Sequence, residues 1–250
     1  IVRAKITFKI RRQEGTTPYY HQHLLANWIN SLKSKDTQWQ HYDQYTFSSL
    51  RGQASSLKAG LRYRHDQLRL VLSALNEAFV DFLVQAIFEQ ETWELGMIHL
   101  APVQVDKQPL PELGTATSYL CLSPLVPSFA ALQDEEAGRQ FINPQRDLFS
   151  DWLYECTMNS MEQSELYTAA DISTFFKFQL VPDHDYLQKI KRQGKLFARN
   201  YPVAYQGKQY EVRGYVLPFT LHAHPQVQAY VYTRGLGAFT QQGLGMLDVS

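Results

Sequence analysis

The residues best suited to chemistry in this sequence lie in its glycine-rich ending. Four glycines form two Gly-x-Gly pairs, a hydroxyl residue stands between the pairs, and an arginine precedes them. These residues are Arg234, Gly235, Gly237, Thr240, Gly243 and Gly245. Glycine adopts positive φ angles and lets another molecule approach the backbone N–H groups, so the spacing is typical of a loop that lies against a phosphate backbone. A glycine-rich hairpin that only reverses the chain is the alternative.

Two familiar phosphate-binding loops do not fit this ending. A P-loop requires Lys followed by Ser or Thr after its last glycine, whereas Met246 follows Gly245 here. A dinucleotide-binding fingerprint requires a third glycine and a helix after it, but Thr240 occupies the position of that glycine. The loop therefore belongs to neither of these two types.

From Gly235 onward the residues follow the pattern Gly-x-Gly-x-x-Thr-x-x-Gly-x-Gly-Met. This ending resembles the C-terminal glycine-rich signature of the CRISPR-associated endoribonucleases that cut repeat RNA, within the wider repeat-associated RNA-binding superfamily. Leu244 stands where phenylalanine is more usual. Two shorter stretches, YTFSSL at Tyr45–Leu50 and LSPL at Leu122–Leu125, are similar to stretches of that family and occur in the same order.

The resemblance implies an endoribonuclease that cuts CRISPR precursor RNA within its repeats without a metal or cofactor. The substrate's 2′-hydroxyl would be the nucleophile, and the products would carry 2′,3′-cyclic phosphate and 5′-hydroxyl ends. A non-catalytic subunit that holds guide RNA in a CRISPR effector complex is the closest alternative. A ferredoxin-like module that binds a small ligand or another protein is a second one.

The resemblance also places a catalytic histidine in or just after the first helix, ahead of the YTFSSL stretch. Histidine suits proton transfer near neutral pH. We expect His41 to act as the general base or acid, with His23 as the second choice. Tyr42 or Tyr45 would assist, and Lys35 would stabilise the charge on the phosphate.

Charge is unevenly distributed along a chain whose net charge is zero. Residues 1–70 and 186–215 are strongly basic, and residues 71–175 are strongly acidic. If the fold brings the basic segments together, they form one positive face that suits phosphate binding. Besides the glycine-rich ending, the expected RNA-binding residues are Arg51, Lys189, Lys191, Arg192 and Lys195.

The expected partner is CRISPR repeat RNA, as a hairpin or a single strand, with no DNA and no membrane. CRISPR effector or adaptation proteins, or a fused domain, are further expected partners. His222 and His224 form a His-x-His pair, but no third ligand stands at a recognisable spacing, so no metal site is expected. Two distant cysteines, Cys121 and Cys156, favour a reducing compartment, and we expect a prokaryotic cytoplasmic protein.

The pattern of apolar residues predicts an α+β fold of two tandem ferredoxin-like units with the order β-α-β-β-α-β. Alternating or helical spacing of apolar residues marks the elements of the first unit. They are a strand at 1–10, a helix at 19–33, strands at 45–50 and 61–72, a helix at 76–90 and a strand at 93–105.

The second half repeats this theme less regularly. Its expected elements are a strand at 117–125, a helix at 147–161, a strand at 175–181, a strand pair at 196–206 and 209–219, a helix at 224–233 and a strand at 243–249. Pro109 and Pro111 lie in a linker. We therefore expect an N-terminal unit at 1–108, with the catalytic histidine, and an irregular C-terminal unit at 115–250, with the glycine-rich loop.

Overall fold

The computed structural model describes residues 3–250. The chain divides into two units. The first comprises the chain up to Leu110 together with Gln241–Gly243, and the second comprises Pro111–Thr240 and Leu244–Ser250. This division differs from the expected one, which placed the whole glycine-rich ending in the C-terminal unit. Residues Gln241–Gly243 of this ending belong to the first unit, because Gly243 packs against residues of that unit.

The first unit is a five-stranded antiparallel sheet with two helices and a separate hairpin. Its elements are β1 (Arg3–Gln13), α1 (Gln22–Lys33), β2 (Tyr45–Phe47), β3 (Ala54–Leu57), β4 (Gly60–Tyr63), β5 (Gln67–Ala74), α2 (Glu77–Phe88), β6 (Trp93–Leu95) and β7 (Ile98–Gln108). The sheet order is β2-β5-β1-β7-β6, and β3 pairs only with β4. Without the hairpin and β6, this is the expected βαββαβ unit.

The core of this unit follows from the spacing of apolar residues along its strands and helices. Ile6 and Phe8 alternate along β1 and are fully buried. On α1, Leu25, Ile29 and Leu32 recur at helical spacing and are buried as well, as an amphipathic helix requires. The helices α1 and α2 contact each other, and α2 lies on β1, β5 and β7. The apolar face of the sheet is thereby covered.

Two expected strands of the first unit are each divided. The expected strand at 61–72 is interrupted after Tyr63, because β4 turns away to pair with β3 and the sheet strand β5 begins only at Gln67. The expected strand at 93–105 is interrupted at Gly96, whose φ of 58° forms the turn between β6 and β7.

Among the described residues, the second unit has a four-stranded antiparallel sheet and five α-helices. Its elements are β8 (Ala116–Cys121), α3 (Glu135–Arg139), α4 (Asp147–Gln163), α5 (Ala169–Ile172), β9 (Phe178–Pro182), α6 (His184–Arg192), β10 (Ala198–Tyr205), β11 (Lys208–Tyr215), β12 (Phe219–Ala223), α7 (Pro225–Arg234) and β13 (Leu247–Val249). The sheet order is β13-β8-β12-β9, and β10 and β11 form a separate hairpin.

The order β8-α4-β9-β12-α7-β13 repeats the βαββαβ unit, so the expected fold class is confirmed. The irregularity lies in the insertions, because α6 and the β10–β11 hairpin interrupt the passage from β9 to β12. The basic run Lys189–Lys195, whose alternative interpretation was a solvated loop or helix end, lies mostly in the exposed last turn of α6. None of the helices in residues 3–250 is long and apolar enough to cross a membrane.

A buried amide connects α7 to the second sheet. Gln228 is fully buried on α7. Its Oε1 accepts a hydrogen bond of 2.7 Å from the Tyr119 hydroxyl on β8, and its Nε2 donates one of 2.7 Å to the Leu221 carbonyl on β12. Because a buried polar group costs stability unless it is paired, this amide fixes where the helix lies.

We expect Gln228→Ala to lower the free energy of unfolding by about 2–3 kcal/mol, because it removes the partner of both buried groups. Gln226→Ala, an exposed glutamine on the same helix, is the matched control and should change stability by less than about 0.5 kcal/mol. Urea unfolding followed by circular dichroism measures both. Equal losses in the two variants would contradict the role of the buried amide.

Candidate functional site

His41 lies in the turn that joins α1 to β2 in the first unit, and its side chain is exposed. Aromatic residues anchor the backbone on both sides of it. Trp39 is buried, with its ring 5.3 Å from Phe79, and the Tyr42 ring lies 4.7 Å from the same phenylalanine. In the described part of the chain, His41 forms no side-chain hydrogen bond. The imidazole is therefore accessible to a substrate while its backbone is held.

Tyr42 serves this loop as an anchor through its hydroxyl as well as its ring. The hydroxyl donates to the Gln44 carbonyl at 3.1 Å and accepts from the Asn76 N–H at 2.9 Å. Asn76 in turn caps α2, because its side chain accepts from the Ala78 N–H. The expected catalytic assistance of Tyr42 stays a prediction, and the structure gives this residue a positioning contact.

Lys33 is a residue that the sequence reasoning missed. Its side chain is buried, and Nζ donates a hydrogen bond of 2.6 Å to the Tyr42 carbonyl. Nζ also lies 5.0 Å from the centre of the Tyr45 ring, a cation–π contact. Burial lowers the pKa of Lys33, and the nearby Asp43 carboxylate opposes that effect. A buried ammonium thus holds the residue that follows His41.

The helical period could have indicated the position of Lys33. It follows Ile29 by four residues and Leu25 by eight, so it lies on the buried face of α1. Tyr45 is similarly buried, and its burial raises the pKa of its phenol. A protonated phenol far from its titration range is poorly suited to take a proton from substrate.

The other two expected catalytic side chains, those of Lys35 and His23, form no hydrogen bond with His41 among the described residues. Lys35 is exposed, and its Nζ lies 5.5 Å from the centre of the Trp93 ring. His23 is half-buried on α1, and its Nδ1 is a buried atom without a hydrogen-bond partner among residues 3–250. Their catalytic roles stay predictions.

His21, the third histidine of this region, is a structural residue. It is buried, with Nδ1 3.0 Å from the Pro18 carbonyl and Nε2 accepting the Leu50 N–H at 3.0 Å. This pairing requires a neutral ring with its proton on Nδ1. Burial lowers the pKa of His21, although the hydrogen bond to Pro18 acts in the opposite direction. His21 fixes the end of the YTFSSL stretch.

The glycine-rich loop, residues 235–246, is packed backbone to backbone in the part that belongs to the second unit. The Leu236 N–H donates to the Gly245 carbonyl at 2.9 Å, so the two Gly-x-Gly pairs bind each other. A Cβ on Gly245 would lie 2.0 Å from the Leu236 carbonyl oxygen, and one on Gly237 would lie 2.2 Å from that of Val126. Both glycines also have positive φ angles, of 73° and 88°.

The LSPL stretch is the partner of this loop. The Leu122 N–H donates to the Met246 carbonyl at 2.8 Å, and the Met246 N–H donates to Ser123 Oγ at 2.9 Å. The Gly245 N–H donates to the Pro124 carbonyl at 2.7 Å. Two stretches that the sequence identified separately therefore form one hydrogen-bonded unit.

Arg234 and Thr240 are buried, whereas the expected phosphate contacts require exposed groups. Arg234 is 6% exposed, and its Nη1 donates to the Gly237 carbonyl at 3.2 Å. The Thr240 hydroxyl is buried without a hydrogen-bond partner among the described residues. Arg234 thus holds the loop from inside, and direct RNA contact by these two residues stays a prediction.

Gly243 belongs to the first unit and is equally constrained there. The Gln22 Nε2 donates to the Gly243 carbonyl at 2.6 Å. A Cβ on Gly243 would lie 2.3 Å from the Phe47 ring, and its φ is 77°. Only glycine fits this position.

The expected RNA-binding residues outside the glycine-rich ending are exposed. The helix α6 begins at an Asp183 cap, whose side chain accepts the Tyr186 N–H at 2.9 Å, and none of its residues is buried. Its last turn and the residues after it carry the basic side chains, which the helix dipole favours. These exposed residues are Lys189, Lys191, Arg192 and Lys195. Arg51 is exposed in the first unit, where its backbone pairs with that of Arg69.

Among residues 3–250, no group of three His, Cys, Asp or Glu side chains is arranged to hold a metal ion. One histidine of the His-x-His pair caps a helix. His224 precedes α7, and its Nδ1 accepts the Gln226 N–H at 3.1 Å, so it caps this helix.

Comparison with a family model gives a match at residues 108–249 to CRISPR associated protein Cas6, C-terminal. No curated protein matches the sequence.

Several solved structures share the fold over the full chain. One described as CRISPR associated protein Cas6 has a TM-score of 0.74 and 16% identity, covering 100% of this chain and 99% of that chain. The product of a Cas6-related gene from Pyrococcus furiosus has a TM-score of 0.74 and 14% identity, covering 100% of this chain and 98% of that chain. A protein described as a RAMP protein binding different RNA substrates has a TM-score of 0.75 and 16% identity, covering 100% of both chains. At these identities the likeness shows the fold.

We expect Gly245→Ala to lower the free energy of unfolding by more than about 2 kcal/mol, because the new Cβ meets a backbone oxygen at a positive φ. Gly207→Ala is the matched control, because Gly207 has a similar φ of 77° but open space around its Cβ position. It should cost about 1–2 kcal/mol. If urea unfolding gives the two variants equal losses, the close backbone packing is not what requires glycine.

The depressed pKa of His21 predicts an acid-dependent loss of stability. The unfolded chain binds a proton at this histidine below its ordinary pKa of 6.5, whereas the folded chain binds it only at lower pH. The stabilisation is therefore complete above that value and declines as the pH falls below it.

Thermal unfolding measured from about pH 8 to about pH 5 should show a steeper loss for the wild type than for His21→Gln, which does not titrate. His222→Ala, a change at an exposed histidine, should follow the wild type. Parallel pH profiles for the wild type and His21→Gln would show that His21 does not carry this dependence.

Proposed function

Since the chain belongs to the family of CRISPR associated protein Cas6, we propose that it is an endoribonuclease that cuts CRISPR precursor RNA within its repeats to release guide RNAs. The match of this family over residues 108–249 is the observation that carries the proposal. The free cysteines Cys121 and Cys156 are consistent with action in the reducing cytoplasm of a prokaryote.

The reaction that we propose uses no metal ion. The 2′-oxygen of the nucleotide before the cut attacks the adjacent phosphorus, and the bond from phosphorus to the 5′-oxygen breaks. The proton of the 2′-hydroxyl goes to a base, and the departing 5′-oxygen receives a proton. The products are a 2′,3′-cyclic phosphate and a 5′-hydroxyl. The protein needs a proton-transfer group and positive charge near the phosphate.

His41 is the proton-transfer group in this proposal. Its support is an exposed imidazole on a backbone that Trp39 and Tyr42 hold against Phe79. Lys33 acts as a positioning residue, because its buried ammonium binds the Tyr42 carbonyl. The exposed Lys35 ammonium is a source of positive charge for the phosphate.

The exposed basic end of α6 is the proposed binding surface for the repeat RNA in the second unit. Its four cations lie within seven residues and have no buried neighbours on the helix. Phosphate contacts of this kind release counterions, so binding should weaken as salt rises. A fold neighbour described as binding different RNA substrates supports an RNA ligand. Other CRISPR proteins remain proposed partners.

One observation favours the alternative of a subunit that holds guide RNA without cutting it. His41 forms no hydrogen bond to His23, Lys35 or the Tyr42 hydroxyl in the described residues. A cutting enzyme would then depend on the bound RNA to complete the arrangement, as catalytic contacts often tighten only with substrate.

We expect His41→Ala to reduce the single-turnover rate of repeat RNA cleavage by about 10²–10⁴-fold, because it removes the proton-transfer group. RNA affinity should change by less than about threefold, since no phosphate contact is assigned to His41. Labelled repeat RNA, gel analysis of cleavage and fluorescence anisotropy give both quantities.

His222→Ala, a change at an exposed histidine of the second unit, is the control and should cut at the wild-type rate. A His41→Ala variant that cuts at the wild-type rate would refute the site. A wild-type protein that binds the repeat tightly but leaves it uncut would favour the guide-holding alternative.

A further inference from the structure

The first unit contains an open groove. Neither the turn that carries His41 nor the glycine-rich loop contributes a residue to its lining. It has a volume of about 650 Å³ and lies between the segment 49–54, the hairpin strand β4 and the start of β5. Polar and basic side chains line much of it, among them Arg51, His65, Gln67 and Arg69, and no acidic residue belongs to its lining. We call it the arginine groove.

Two arginines lie side by side at this groove. The Arg51 N–H donates to the Arg69 carbonyl at 2.9 Å, and the Arg69 N–H donates to the Arg51 carbonyl at 2.8 Å. This exchange makes them a directly opposed antiparallel pair, whose side chains share one face. Like charges placed in this way repel each other.

The chain does not compensate this repulsion. Within residues 3–250, neither Arg51 nor Arg69 forms an ion pair, and both side chains are exposed. Elsewhere in the same unit basic residues do have partners, as in the ion pair of Lys107 with Asp81 at 2.7 Å. Two opposed guanidinium groups without a carboxylate form a site that an anion between them would stabilise.

The walls of the groove are held in place by hydrogen bonds. Gln13 on β1 binds the backbone of Tyr63 twice, accepting its N–H at 2.9 Å and donating to its carbonyl at 3.1 Å. These bonds fix the β3–β4 hairpin to the sheet. On the other wall, the Leu50 N–H is held by His21. A preformed site loses less free energy on binding than one that must be ordered.

Close packing also shapes the floor. A Cβ on Gly52 would lie 2.4 Å from the Leu68 side chain and 3.0 Å from the Gln67 carbonyl, so the segment 49–54 approaches β5 as closely as it can. Tyr63 is buried beneath it. The result is an open groove.

We propose that the arginine groove binds a single-stranded segment of the repeat RNA, with Arg51 and Arg69 on its phosphates and with His65 and Gln67 beside it. The inference rests on the proposed function and adds a second, separate contact to it. A basic groove tracks the backbone of one strand, whereas duplex RNA presents a broad outer surface that is recognised by its shape.

The test compares Arg51→Ala/Arg69→Ala with Arg62→Ala/Arg64→Ala. The control pair removes the same charge from the same hairpin region, but neither Arg62 nor Arg64 lines the groove. Anisotropy titrations over a range of salt would use three labelled probes: repeat RNA blocked by a 2′-deoxy residue at the cut, an unrelated uridine-rich strand of equal length, and a blunt RNA duplex.

For the two probes that contain single-stranded RNA, we expect the groove variant to bind at least about tenfold more weakly. Its salt slope should fall by about 0.7 for each phosphate that the variant no longer binds. The control should bind less than about threefold more weakly than the wild type, and the groove variant should bind the duplex as the control does. Circular dichroism melts would show that both variants fold.

Equal binding by the groove variant and the control would overturn the inference while leaving the proposed function intact if the wild type cuts the unblocked repeat. An equal loss on duplex and single strand would also overturn it, because the groove would then lack the preference for one strand. A third outcome separates the two proposals. If the wild type cuts no repeat but Arg51→Ala/Arg69→Ala weakens its binding of the uridine-rich strand, the groove is supported and the proposed endoribonuclease is rejected.

Discussion

The close packing of the glycine-rich loop on the segment Pro124–Val126 is the constraint on which the second unit depends. The loop begins where α7 ends and leads directly into β13, the edge strand that pairs with β8. Its backbone donates to the Pro124 and Val126 carbonyls at 2.7 Å and 2.8 Å. Such contacts exist only where no Cβ intervenes, since a Cβ on Gly245 or Gly237 would overlap a carbonyl oxygen. Glycine here permits a backbone approach within the protein itself.

In the first unit, the residues around His41 hold its backbone while its side chain stays exposed. Trp39 and Tyr42 pack on Phe79 on either side of His41, and Lys33 binds the carbonyl that follows the histidine. The interactions that position the imidazole are therefore made by neighbouring residues, and the imidazole itself remains exposed. This separation of anchoring from chemistry is what the proposed proton transfer requires.

The sequence predicted the order of the main elements, because Ile6 and Phe8 alternate on β1 and Leu25 and Ile29 recur on α1. It did not predict where long strands divide, since the turn of β4 away from the sheet depends on its pairing with β3. The glycines were recognised, but their spacing could not distinguish a loop that approaches a phosphate from a loop that packs against backbone carbonyls of the protein itself. Lys33 was missed because a lysine is expected in solvent, and the hydroxyl contacts of Tyr42 depend on Asn76, which is distant in sequence.

The central claim is that the RNA supplies its own nucleophile and that no metal takes part. The most direct test incubates the wild-type protein, in EDTA, with repeat RNA and with a copy that carries 2′-deoxyribose at the cut nucleotide, and then identifies the product ends. We expect cleavage of the first RNA alone, with 2′,3′-cyclic phosphate and 5′-hydroxyl ends. Cleavage of the deoxy-substituted copy, or loss of all cleavage in EDTA with recovery on adding a divalent cation, would contradict the claim.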